Sequence, residues 1–410
     1  MKQAAASSAS QQAGKRALFS PLKFGALTAK NRVWMSPMTR NRGVVPGPLQ
    51  QTYYQQRASA GLIISEGTFI SPQGTEWPQA PGIYSEDQVK GWKKVLDAVH
   101  KKDGLMVCQL WHVGRLTHPS EQAGKQPIGN VVWPYSFFSC VAFCASVAFM
   151  LRFVASSHLI GSVFSHTGPS AIAATGGRIW RENGPVDSPY VTPKEMTEQD
   201  IQENIQTWKK AAKNAKEAGF DGVEVHGAYG YLPAQFLHDG SNQRKDAYGG
   251  SIQNRCRFLL EVIEAVSSVW GSDRVGLKLS PSNTYNDMKD SDRLALNVHL
   301  LKELSKADLA YVAVMEPSPM DIKFGAVPVP VKELRTHYKG TLVANVGYTQ
   351  ETASKALENG EADAVSFGQP FVANPDLPHR FQKGLPLNAV DYSTLYIGGE
   401  KGYTDYPFAS

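Results

Sequence analysis

From Leu18 onward, short apolar runs alternate with longer segments whose apolar positions recur every three or four residues. The short runs read as buried strands over 32–37, 62–69, 105–111, 223–226, 275–279, 309–314, 341–345 and 362–367. The longer segments read as helices over 48–60, 85–100, 197–218, 251–270, 290–304, 349–358 and 374–382. Within 251–270, Phe258, Leu259, Val262, Ile263 and Val266 share one helical face. Ser85 and Glu86 suit a helix start, and Gly219 follows a long helix as its C-cap. Eight strands in alternation with helices predict an α/β fold, a parallel (β/α)8 TIM barrel. An open doubly wound sheet is the alternative, but no Gly-x-Gly-x-x-Gly turn follows an early strand.

One stretch breaks the alternation. Residues 131–167, in the loop leaving the third strand, carry Phe137, Phe138, Val141, Phe143, Val147, Phe149, Met150 and Leu151 close together. Three readings compete: a membrane-associated hairpin, a buried helix in an enlarged loop, or a segment foreign to the fold. Crossing a bilayer takes about 20 apolar residues. Tyr135 to Leu151 falls short of that, is diluted by Ser136, Ser139 and Ser146, and meets Arg152 at once. The domain organisation expected is a disordered leader over 1–17, rich in Ala, Ser and Gln, then one barrel domain over 18–410 interrupted by 131–167. The leader lacks the apolar core of a secretory signal, and a transit peptide is the weaker alternative.

Composition narrows the function. The chain has 410 residues, 42% of them hydrophobic and 19% charged, which suits an ordinary globular domain rather than a disordered one. A net charge of +5, spread without a basic block, argues against a nucleic-acid arm. Four cysteines in so long a chain point to a reducing compartment, here the cytoplasm. Cys140 and Cys144 have no His or acidic neighbours, and no ligand spacing for a metal exists anywhere, so no metal site is expected.

The chemistry concentrates where the fourth strand ends. His226 closes the run Val223–Val225, and Tyr229 and Tyr231 come next among Gly227 and Gly230. An imidazole titrates near neutrality, and a phenol can donate a proton from a pKa of about 10. Any one of the three alone suits ordinary packing. All three at the C-terminal end of a barrel strand suit an active site.

This stretch and the residues after it resemble the old yellow enzyme family of flavin-dependent ene-reductases. The carrying residues are His226-Gly-Ala-Tyr-Gly-Tyr-Leu232, Gln235-Phe236-Leu237, Ser241-Asn242 and Tyr248-Gly-Gly-Ser-Ile-Gln-Asn-Arg255. Others span the chain: Ser36-Pro-Met-Thr-Arg40, Ser65-Glu-Gly67, Gln109-Leu-Trp-His-Val-Gly-Arg115, Asn374-Pro-Asp-Leu377 and Gly402-Tyr-Thr-Asp-Tyr-Pro407. The resemblance implies a (β/α)8 barrel holding FMN noncovalently, with NADPH as hydride donor. It places the ring against Pro37, Met38 and Thr39, with backbone room at Gly67, the Gln109 amide at the pyrimidine edge and Lys278 beside the part that turns anionic on reduction. It places the phosphate at Gly347, Gly368 and Gln369, where backbone N–H groups and helix N-termini favour an anion.

The implied reaction is ping-pong reduction of the activated C=C bond of an enone or enal. Hydride comes from the flavin, His226 and Tyr229 hold the carbonyl oxygen, and Tyr231 delivers the proton to the α-carbon. Tyr396 and Trp111 shape the substrate pocket. The chain departs from the family at three positions: Lys278 where Arg is usual, Gln369 where Arg is commoner, and Tyr229 where Asn or His is commoner. It also carries the additional 131–167, read as translated from an unspliced intron, since Lys125-Gln-Pro-Ile-Gly129 otherwise leads almost directly to Gly168-Pro-Ser-Ala-Ile172. A small-molecule substrate, no nucleic acid, no membrane, and a monomer or homodimer are expected. The alternative in function is a flavin-binding relative impaired by the added segment. A relative with an iron–sulfur cluster is disfavoured by the lack of clustered cysteines.

Overall fold

A computed structural model of the chain describes residues 17–117, 167–175, 179–181, 184–186 and 190–409. Eight parallel strands form its centre: β1 (Val33–Met35), β2 (Ile63–Ile64), β3 (Met106–Trp111), β4 (Gly222–Gly227), β5 (Val275–Leu279), β6 (Tyr311–Met315), β7 (Leu342–Asn345) and β8 (Ala364–Phe367). Each pairs with the next, β8 returns to β1 at Val365↔Val33, and β3 meets β4 at Val107↔Gly222, so the sheet closes. Helices α1 (Pro48–Gln56), α2 (Glu86–His100), α3 (Glu198–Ala218), α4 (Ile252–Trp270), α5 (Arg293–Leu304), α6 (Val331–Arg335), α7 (Gln350–Glu358) and α8 (Leu377–Lys383) follow the strands in turn. This is the expected TIM barrel.

The strands are buried along their length because helices cover one face and the barrel interior the other. Alternate residues serve the two faces. Val223 and Val225 of β4 and Leu277 and Leu279 of β5 pack outward in the strand–helix core. The inward set begins apolar, with Trp34, Leu62, Val107, Tyr311, Val343 and Ala364. A hairpin of Leu22–Phe24 and Leu27–Ala29 closes that end, its Phe24 ring 4.7 Å from Trp34. Toward the C-terminal ends, the positions that continue these alternations carry Ser36, Gln109, Glu224, His226, Lys278 and Asn345. Polar groups thus collect at one mouth.

Most helix boundaries follow local chemistry. Ser85, Thr197, Ser251 and Thr349 each accept a first-turn backbone N–H, and Gly219 takes φ +94° as the left-handed C-cap of α3. Two expectations are adjusted. The helix from Pro48 stops at Gln56 rather than Ala60, because the Arg57 guanidinium turns back on the Tyr53 carbonyl at 2.8 Å and bonds Phe371 and Val372 beyond it. The run 62–69 is two pieces: after β2 the chain breaks at Ser65–Gly67, and Thr68–Phe69 then pairs with Leu110–Trp111. Glu66 leaves the ladder to accept the Arg40 backbone N–H at 3.0 Å, while its own N–H bonds the Tyr54 hydroxyl at 2.8 Å.

The leader 1–17 lies outside the described residues save Ala17, and so does the added segment save Thr167, which with Gly168 pairs alongside Lys194–Glu195. His118, Cys140 and Cys144 also lie outside them. Among the described residues, no helix is long and apolar enough to cross a membrane, and no His, Cys, Asp and Glu group could hold a metal.

Candidate active site

At the polar mouth of the barrel lies a cavity of about 530 Å³. Every residue singled out from the sequence lines it: Pro37, Met38, Thr39, Gly67, Gln109, Trp111, His226, Tyr229, Tyr231, Lys278, Gly347, Gly368, Gln369 and Tyr396. They come from the ends of β1, β2, β3, β4, β5, β7 and β8 and the loops after them, which explains how positions as distant in the chain as Pro37 and Tyr396 meet.

The floor is electrostatic. His226 and Lys278 are partners across β4 and β5, so both side chains point inward together. Lys278 is buried, and its ammonium donates to the Ser36 hydroxyl at 3.2 Å. Burial pulls its pKa down to about 8, while Glu224 opposes the fall. Glu224 is itself buried and accepts from Gln109 Nε2 at 2.7 Å and from the Tyr311 hydroxyl at 2.9 Å. Desolvation raises its pKa, with Lys278 acting against the rise. Gln109 therefore commits one of its two amide N–H groups to Glu224, leaving the other N–H and the carbonyl oxygen for a ligand.

Above the floor stand the donors. His226 Nδ1 accepts the Ala228 N–H at 3.3 Å, so the proton of the neutral ring sits on Nε2. Burial first, and then Lys278, push the imidazole well below its usual pKa, keeping it neutral at pH 7. Tyr231 packs edge-on to His226 at 5.0 Å and to Trp111 at 4.9 Å between ring centroids. Trp111 stacks on Phe69 at 4.5 Å. The room that Gly67 leaves is filled by Trp111: a Cβ there would lie 2.4 Å from the indole. Tyr229 holds φ +55°, fixed by its N–H to Ser280 Oγ at 2.9 Å and by Asn286 Nδ2 on its carbonyl at 2.8 Å. Desolvation raises the pKa of both phenols, so both stay protonated. Tyr396 lies 5.0 Å from Trp77 at the rim.

These features decide between a general binding pocket and a cofactor site, and residues 17–388 match the family described as NADH:flavin oxidoreductase / NADH oxidase. The chain belongs to this family. It is 39% identical to 12-oxophytodienoate reductase 7 of Oryza sativa subsp. japonica over 97% of this chain and 96% of that one. It is 36% identical to 12-oxophytodienoate reductase 2 of Arabidopsis thaliana over 95% of each. A structure of morphinone reductase in complex with tetrahydroNAD superposes with a TM-score of 0.81 at 41% identity, covering 96% of this chain and 98% of the other. An old yellow enzyme homologue from Zymomonas mobilis gives 0.82 at 39%, covering 95% and 99%.

FMN is the cofactor of the old yellow enzyme family, and the lining of this cavity fits it, with a buried cation at Lys278 and the amide of Gln109. The helix after Gly368 has only five residues, Gln369–Ala373, and the first turn of α7 is capped by Thr349. Gly347 keeps open space around its Cα at φ +78°. Beside it Val346 holds φ +74°, strained for a β-branched residue.

Sequence reading missed several wall residues: Ser36, Trp77, Tyr285, Asn345 and Val346. It also missed Glu224, beneath the floor. Alternation within the strands could have found Glu224 and Asn345, since both continue the inward set. Nothing local marks Trp77 or Tyr285, which arrive on loops.

Proposed function

We propose that this flavin oxidoreductase takes hydride from NADPH and reduces the C=C bond of α,β-unsaturated carbonyl compounds in a ping-pong cycle. The observation that carries it is the convergence of one neutral imidazole and two protonated phenols above a buried cation. FMN, held by the cavity lining, would supply the hydride-transfer chemistry between nicotinamide and alkene.

The protein's own residues supply the rest. His226 Nε2–H and the Tyr229 hydroxyl bind the carbonyl oxygen and stabilise the negative charge that grows there. Because both are neutral donors in a buried site, neither costs the energy of desolvating an ion. The Tyr231 hydroxyl gives its proton to the α-carbon, and its high pKa keeps the phenol loaded across the working pH range. Lys278 would face the negative charge gained on reduction, and the Gln109 amide would bond the ring edge. Trp111 and Tyr396 confine the substrate between apolar walls.

A morphinone reductase with bound tetrahydroNAD supports a nicotinamide donor, and NADPH is the donor proposed. An enone or enal is the proposed substrate, and a monomer or homodimer the proposed state. Cytoplasmic residence is the proposed location. The described wall residues, together with the ene-reductase relatives, favour an active enzyme over an impaired relative.

Tyr231→Phe tests the role of the phenol. Reduction of the bound flavin by NADPH should change less than about twofold, while reoxidation by an enone should slow by at least about a hundredfold. Stopped-flow measurement of the two half-reactions separates them. An unaltered oxidative half-reaction would remove Tyr231 from the mechanism.

A further inference from the structure

We propose that Asn41 is a positioning residue that sets how wide a substrate the cavity admits, by tying together the two loops that bring Trp77 and Tyr396 to its wall. The inference rests on the enone-reductase reading above. Both rings line the cavity, and their centroids lie 5.0 Å apart. Neither stands on a barrel strand: Trp77 comes from the loop between Phe69 and α2, and Tyr396 from the chain after α8. Strand register therefore does not fix where this pair of rings stands. The bonds that hold the two loops do.

Asn41 lies in a third loop, between β1 and α1, and is buried without lining the cavity itself. Its Oδ1 accepts the Gln79 N–H at 2.8 Å, two residues past Trp77. Its Nδ2 donates to the carbonyl of Tyr396 at 3.1 Å. The partners settle which end of the amide is which, since a backbone N–H only donates and a carbonyl only accepts. One short planar group thus bonds both loops at once.

The surrounding bonds make Asn41 a fixed point. The Arg40 N–H bonds the buried Glu66 carboxylate at 3.0 Å, and the Arg40 guanidinium bonds the carbonyls of Leu395 and Gly402 at 2.9 and 2.7 Å. The Gly43 N–H bonds the Gln79 carbonyl at 2.8 Å. These ties hold the flanks of the two loops, while the Asn41 amide holds the backbone of Tyr396. Asn41 has φ +58°, a left-handed conformation that asparagine adopts more readily than most side chains and glycine most readily of all. Two substitutions therefore dissect the link without straining the backbone. Asn41→Gly removes both bonds. Asn41→Asp keeps the acceptor for Gln79 and sets a carboxylate oxygen against the Tyr396 carbonyl, so that loop alone is released.

The test is steady-state kinetics of the full-length, FMN-loaded protein with NADPH and two enones, cyclohex-2-enone and the same ring bearing a phenyl group. Asn41→Gly should lower the KM for the larger enone relative to the smaller by at least about threefold, the scale of one lost hydrogen bond, while kcat for the smaller changes less than about twofold. Asn41→Asp should shift the KM ratio in the same direction, and it carries the test alone if the glycine variant does not fold. An unchanged ratio in the folded variants overturns the proposal. So does an equal loss on both enones, which marks a purely structural residue. Wild-type protein whose flavin is reduced by NADPH but which turns over neither enone would instead overturn the enone reading on which this one rests.

Discussion

Lys278 gives the sharpest expectation from the geometry. Its ammonium is buried, bonded to Ser36, and held to a pKa of about 8 because burial outweighs the opposing pull of Glu224. A lysine with that pKa is about 90% charged at pH 7 and about 10% charged at pH 9. On the proposed placement of the flavin beside Lys278, reduction of the ring would add a negative charge there, and that charge would favour the ammonium. Below pH 8 the ammonium is already present, so reduction to the anionic ring takes up one proton. Above pH 8 the lysine must also be protonated, and reduction takes up two.

For a two-electron couple each proton contributes about 30 mV per pH unit. The midpoint potential of the bound flavin should therefore fall by about 30 mV per unit below pH 8 and about 60 mV per unit above it. Lys278→Arg keeps its charge at every accessible pH, so its line should stay at the shallower slope. By pH 10 the two proteins should differ by about 60 mV beyond any offset at pH 7. Spectroelectrochemical titration of both proteins between pH 6 and 10 measures this. Parallel lines without a break in the wild type would refute the assignment of Lys278 as the titrating cation at the ring.

Three further outcomes are expected from the fold. Asp290→Asn removes the carboxylate that pairs with the buried Arg255 at 2.5 Å, leaving Asp239 at 4.0 Å as its counter-charge, and should cost about 2–3 kcal/mol in denaturant unfolding. Although burial opposes ionisation of Asp290, His238 at 3.6 Å, the Asp239 N–H and the bonded Arg255 hold its pKa far below the carboxylate range. Its stabilisation is thus present above the unfolded carboxylate pKa and lost only as pH falls through the lower folded value, so the gap from the variant should persist at pH 5. Val346→Gly removes a left-handed β-branched residue and should stabilise by about 1 kcal/mol, read as a shifted denaturation midpoint; a loss would show that φ +74° carries no strain. Deleting 131–166, which keeps the paired Thr167, should leave flavin content per folded protein unchanged, as absorbance will report; a colourless product would make the segment part of the working enzyme.

Local chemistry in the sequence determined much of this protein. Apolar runs marked each barrel strand, because a strand covered on both sides must be apolar. The side-chain oxygen of Ser85 marked a helix start, because unpaired N–H groups need an acceptor within three residues, and Thr197 and Thr349 cap their helices in the same way. The motif residues marked the cavity, since groups that serve one ligand keep fixed places on their strands. Tertiary structure alone decided which polar residues face each other. Glu224 reads locally as an interruption in an apolar strand, yet closure of β3 onto β4 sets it against Gln109, 115 residues away. Arg57 ends its helix early for the carbonyls of Phe371 and Val372, more than 300 residues on. The pKa of Lys278 and the neutrality of His226 likewise come from burial, a property of the closed barrel that no window of sequence contains.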